Sequence, residues 1–76
     1  MKILDQDNDQ LLDSILIMLT PSEMSELAGK LRNLDPTTGD HIHVNDKDYS
    51  VQITILVYTP ENLKFYNEKI RKVIGE

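Results

Sequence analysis

At 76 residues with a net charge of −5, the chain has room for one domain and one small core, a size at which folds lean on disulfides, metals or association. It contains no cysteine, which excludes disulfide staples and thiolate metal sites and brings association forward. Residues 1–40 carry three basic and eight acidic side chains, a balance ill suited to a nucleic-acid backbone, whose binding rests on Lys and Arg, and suited to a basic protein partner.

Met1–Asp5 reads as a short strand. Asp5, Asp7 and Asp9 fall where the apolar stretch of a secretory signal would lie, so a cytoplasmic location is expected. The same acidic residues alternate like the opening of a calcium loop. That loop needs glycine at its sixth position and glutamate at its twelfth, and here those positions hold Gln10 and Leu16. A solvated turn from Gln6 to Gln10 fits better, leading into a strand over Leu12–Leu19. The unbroken apolar run Ile15–Leu19 is far shorter than the roughly 20 residues of a membrane helix, so no membrane partner is expected.

Two strand-to-helix junctions repeat one pattern. Ile15–Leu19 runs into Thr20-Pro21-Ser22-Glu23, and Ile53–Tyr58 runs into Thr59-Pro60-Glu61-Asn62. Threonine caps the orphan N–H groups of a helix start, and proline suits the first helical position because its missing N–H would be unpaired there. Glu23, three residues after Thr20, completes a capping box. The first helix is expected over Pro21–Asn33, with Met24, Leu27, Ala28 and Leu31 as its apolar stripe. The second is expected over Pro60–Ile74, with Leu63, Tyr66, Ile70 and Val73 facing inward. Lys69, Arg71 and Lys72 near its end complement the helix dipole.

Between the helices, Asp35–Asp40 has the composition of a loop. His41–Val44 and Tyr49–Val57 read as antiparallel strands joined by a tight turn at Asn45–Asp48. With Asp46 and Lys47 as turn residues, Val44 is placed opposite Tyr49 and Ile42 opposite Val51. The opposite face then carries His41, His43, Ser50 and Gln52.

The element order is ββαββα, an α+β fold over the single domain 1–76. It predicts a four-stranded, mainly antiparallel sheet with both helices on one face, a permuted form of the ferredoxin-like split βαβ. The final strand of that fold has no counterpart here, and the N-terminal strand takes the vacant edge.

Two candidate sites follow. His41 and His43, two residues apart on a strand, share a face and can meet one metal ion or anion; a structural zinc site wants four ligands and a catalytic one at least three, and only two are in register, so no metal or other cofactor is assigned. Leu16, Met18, Leu56 and Tyr58 converge on the sheet face opposite the helices, and an uncovered apolar patch of that kind marks an interface. No nucleophile elbow, glycine-rich phosphate loop or catalytic cysteine is present, so the chain reads as non-enzymatic.

The segment comprising a helix, a short loop, the His41-Ile-His43 strand and a second strand resembles small bacterial proteins predicted to be immunity proteins of polymorphic-toxin systems. The strand Gln52–Asn62 also looks like segments of small uncharacterised bacterial proteins. That resemblance implies an acidic inhibitor that neutralises a toxin by binding it, with His41 and His43 as candidate contacts. The combined expectation is a protein-interaction domain with a protein partner or a second copy of itself as a homodimer. The alternative is a small metal- or ligand-binding protein using the His41/His43 face.

Overall fold

The computed structural model describes residues 1–75 and is α+β. Its strands and helices are β1 (Leu4–Asp5), β2 (Gln10–Leu11), α1 (Pro21–Arg32), β3 (His41–Asn45), β4 (Gln52–Leu56) and α2 (Glu68–Ile74). Single 3₁₀ turns lie at Pro36–Thr38 and Leu63–Phe65. The strands form two separate antiparallel pairs, β1 with β2 and β3 with β4. One four-stranded sheet was expected; the described residues hold two hairpins.

The difference begins in the first hairpin. The turn at Gln6–Asp9 forms as expected, held by the Asp5 carboxylate, which accepts the Asp7 N–H at 3.0 Å and the Asn8 amide at 2.9 Å. Leu4 then pairs with Leu11, and the Leu12 N–H donates to Ile3 O at 2.8 Å. The ladder ends with that bond. Residues 12–20 have no strand partner among the described residues, and every one of them is exposed. The expected strand over Leu12–Leu19 is not formed, because a strand exists only through its ladder.

α1 matches its expected span closely. Thr20 Oγ1 accepts the Glu23 N–H at 3.2 Å, and Glu23 Oε1 accepts the Thr20 N–H at 2.9 Å, the reciprocal box the sequence specifies. Glu23 sits in its first turn and Lys30 and Arg32 in its last, matching the dipole at both ends. α1 packs along β3, and Lys30 Nζ donates to His43 O at 2.6 Å.

The β3–β4 hairpin pairs Ile42 with Ile55 and Val44 with Ile53, four positions along β4 from the expected partners Val51 and Tyr49. The two-residue turn gives way to a longer loop organised by Asp46. Its Oδ1 accepts the Ser50 N–H at 2.8 Å and the Val51 N–H at 3.1 Å, and its Oδ2 accepts the Ser50 hydroxyl at 2.7 Å. Tyr49 takes the left-handed conformation, φ 56°, which lets the chain reverse. A shift of four leaves the two faces unchanged, because side chains alternate with period two. Ile42, Val44, Ile53 and Ile55 still share one face, with Val44 buried.

The expected second helix is divided. After Tyr58 the reciprocal bonds between Thr59 and Asn62 form, with Thr59 N donating to Asn62 Oδ1 at 2.8 Å and Asn62 N to Thr59 Oγ1 at 3.1 Å. They close a turn in place of a helix. The Asn62 side chain is aimed inward, donating to Pro36 O at 2.5 Å and Val57 O at 2.8 Å. Tyr66 is extended at φ −99°, ψ 156°, and its hydroxyl donates to Val57 O at 3.1 Å and Asp40 O at 3.2 Å. Asn67 then caps a fresh helix, accepting the Ile70 N–H at 2.9 Å. α2 meets the first hairpin through an ion pair between Lys69 and Asp9.

Gly39 allows the close passage of Phe65. It has φ 71°, and a Cβ there would collide with the Phe65 Cβ, so both conformation and space require glycine at this point.

Candidate interaction surface

The structure joins part of the expected site and separates the rest. His41 is the cross-strand partner of Leu56, and His43 is the partner of Thr54. All four lie on the face opposite Val44 and Ile53. The two imidazoles meet edge to face, centroids 4.8 Å apart at 77°. His43 Nδ1 lies 2.9 Å from Thr54 Oγ1, which fixes the ring across the ladder. Tyr58 lies just beyond β4 and is 37% exposed. Leu16 and Met18, expected beside Leu56 and Tyr58, stand on the unpaired segment, 80% and 83% exposed.

An open groove of about 550 Å³ runs between α1 and β3, bordered by Glu26, Lys30, Asp40, His41 and His43. Among the described residues no group of three or more His, Asp or Glu side chains is gathered in metal-binding geometry.

The edges of the second hairpin differ. The Asp46 N–H donates to Val51 O at 3.1 Å, which makes Asp46–Val51 a hydrogen-bonded pair. Since such pairs alternate along an antiparallel ladder, Ile53 and Ile55 turn their backbone groups toward β3. Gln52, Thr54 and Leu56 turn theirs outward. On β3 the outward set is His41, His43 and Asn45, and that side is flanked by α1 with Lys30 on the His43 carbonyl. Nothing comparable covers β4: among the described residues no backbone or side-chain bond reaches its outward N–H and C=O groups from another element.

The exposed apolar segment is the other half of the surface. Leu11, Leu12, Ile15, Leu16, Ile17, Met18 and Leu19 are all between 36% and 83% exposed. Exposed apolar side chains scattered singly are ordinary, but an unbroken run such as Ile15–Leu19 is not. Sequence reasoning found Leu16 and Met18 by assuming a sheet face. It missed that both parities of the run, Ile15 and Ile17 included, are bare.

Asn62 is the polar centre that the sequence reading passed over. It is 1% exposed with its amide fully bonded, a structural role, not a ligand site. Tyr66 beside it has its phenol pKa pushed up, first by burial and then by the negative charge of Asp40. No helix among the described residues is long and apolar enough to cross a membrane.

Comparison of the chain with protein-family models, with curated protein sequences and with solved structures gives no match.

Proposed function

We propose that the chain is a non-enzymatic protein-interaction domain that binds through the run Leu11–Leu19. One observation carries this reading: six large apolar side chains, Leu12 and Ile15–Leu19, stand exposed to solvent on a segment without secondary structure. Burying such a run yields on the order of 25 cal/mol per Å² removed from water, and this fold leaves 36% to 83% of each of these residues in solvent. The narrower form is an acidic, immunity-type inhibitor of a toxin partner, which rests on the resemblance at the His41-Ile-His43 strand and on the acidic residues 1–40.

The groove beside His41 and His43 supports a second reading, a small metal- or ligand-binding protein. Two imidazoles and the Asp40 and Glu26 carboxylates border it. The apolar run is the larger feature and favours the first.

Sedimentation equilibrium between roughly 1 and 100 μM tests the interaction reading on self-association, its simplest form. Wild type is expected to associate reversibly, and the double variant Leu16→Asp/Met18→Asp to run as a monomer with an unchanged circular dichroism spectrum. A wild type that stays monomeric across the range, or a variant that associates equally, overturns it.

A further inference from the structure

We infer that residues 12–19 of one chain add as an antiparallel strand to the bare outer edge of β4 in a second copy, giving a reciprocal strand-exchanged homodimer. This rests on the interaction reading above and names its partner and geometry.

Four observations meet in it. The first is a donor without an acceptor: apart from the hairpin bond at Leu12, the backbone of residues 12–19 makes no hydrogen bond to another described residue. The second is an acceptor without a donor, the outward groups of Gln52, Thr54 and Leu56. An unpaired edge of this kind is a template for another strand.

The third is side-chain register by face. Added beside β4, the run places Ile15, Ile17 and Leu19 on the face of Ile53 and Ile55. Leu16 and Met18 then fall on the face of Thr54 and Leu56. Both faces gain apolar neighbours, which accounts for the stretch Ile15–Leu19 being apolar at every position, as strands buried on both sides are. Because the run continues β2, the strand order β1–β2–β4–β3 results, the four-stranded permuted sheet, completed between two chains.

The fourth observation is surface. The chain exposes 6091 Å², whereas a compact monomer of 8.7 kDa is expected to expose roughly 4,700 Å². The surplus exceeds the roughly 800 Å² per partner that a stable interface buries.

The chain's own connectivity favours a second copy over closure onto the same chain. Leu19 is followed directly by the Thr20 cap, with no linker, and α1 flanks β3. The helix that the run leads into lies along β3, and the bare edge is on the β4 side. A neighbouring chain reaches that edge without displacing α1. The donor and acceptor both belong to this sequence, so a two-fold dimer satisfies both at once.

The test uses two proline variants of the full chain. Leu16→Pro removes an N–H that the run would donate to the β4 edge, and Thr54→Pro removes an outward N–H of β4 that the β3 ladder does not use. Each alone is expected to lose at least tenfold in dimer affinity. Mixed one to one, they are expected to associate again, since the intact run of one fits the intact edge of the other. Backbone amide exchange on wild type supplies a readout that needs no variant. The Thr54 and Leu56 amides are expected to be protected at 100 μM and to exchange freely at 1 μM.

Concentration-independent protection of those amides in a monomer would mean closure within one chain and would overturn the proposal. A dimer that survives Thr54→Pro, lacks Thr54 protection, yet is lost in Leu16→Asp/Met18→Asp, overturns strand exchange while leaving the interaction reading intact. A wild type monomeric at every concentration, with the two amides unprotected throughout, removes both.

Discussion

The Asn62 amide sits where the Pro36 turn, the exit of β4 and the Thr59 backbone meet, and it saturates a polar group on each. Replacing it with alanine leaves Val57 O its bond from Tyr66 but strips Pro36 O and the Thr59 N–H of this partner. Asn62→Ala is expected to lower stability by about 2–4 kcal/mol, the range for a buried hydrogen-bonded group whose partners are left unpaired. Urea midpoints measure it, and a shift equivalent to less than about 0.5 kcal/mol would show that water replaces the amide. Asp46 supports a pH prediction. Its carboxyl pKa is held below the ordinary value, first by the Ser50 hydroxyl and then by the Val51 N–H. A depressed folded pKa contributes stability above the unfolded value, lost as pH falls through the folded one. Between about pH 5 and pH 2 the wild-type melting temperature should therefore fall more steeply than that of Asp46→Asn. Asp5 and Asp35, lowered chiefly by bonds from Asn8 and Thr37 respectively, leave the variant a residual slope. Asn62 could not be singled out from sequence, because an asparagine two residues after Thr-Pro reads as a turn or first-turn residue until the Pro36 carbonyl, 26 positions away, is brought beside it.

At the scale of elements, the two Thr-Pro junctions look alike in sequence and end differently. Both make a reciprocal box at positions three apart, Thr20 with Glu23 and Thr59 with Asn62. Only the first continues as an α-helix. Thr20→Ala is expected to cost about 1 kcal/mol with a loss of helical circular dichroism, as a lost N-cap does. Thr59→Ala should lower the denaturant midpoint without that spectral loss, since it closes a turn. Equal spectra for both would contradict the distinction. The true start of α2 was legible in Asn67-Glu68, a cap followed by an acidic first turn, but the earlier Thr-Pro signal masked it. The strand over 12–19 was expected from its apolar, β-favouring residues, whereas the β1–β2 pairing stops at Leu4 opposite Leu11 and the Leu12 N–H on Ile3 O. The β3–β4 faces were read correctly despite the wrong turn, because alternation survives any even shift.

For the whole molecule, the pattern of elements along the sequence carried the α+β class, and the arrangement of the sheet did not follow from it. A radius of gyration of 13.3 Å compares with roughly 11 Å for a compact chain of this length. Val44 and Tyr66 are the only apolar or aromatic side chains classed as buried among the described residues. Local patterns specify elements; which strands pair depends on contacts between distant segments, and here residues 12–19 have no strand partner among the described residues. The Lys30 ammonium on the His43 carbonyl bears on how far assembly can grow. With α1 and that cation along β3, each hairpin offers a growing sheet one docking side, not two. A chain with one donor strand and one receptive side could pass strands head to tail as an open filament, and only reciprocal exchange between two copies would leave no site for a third.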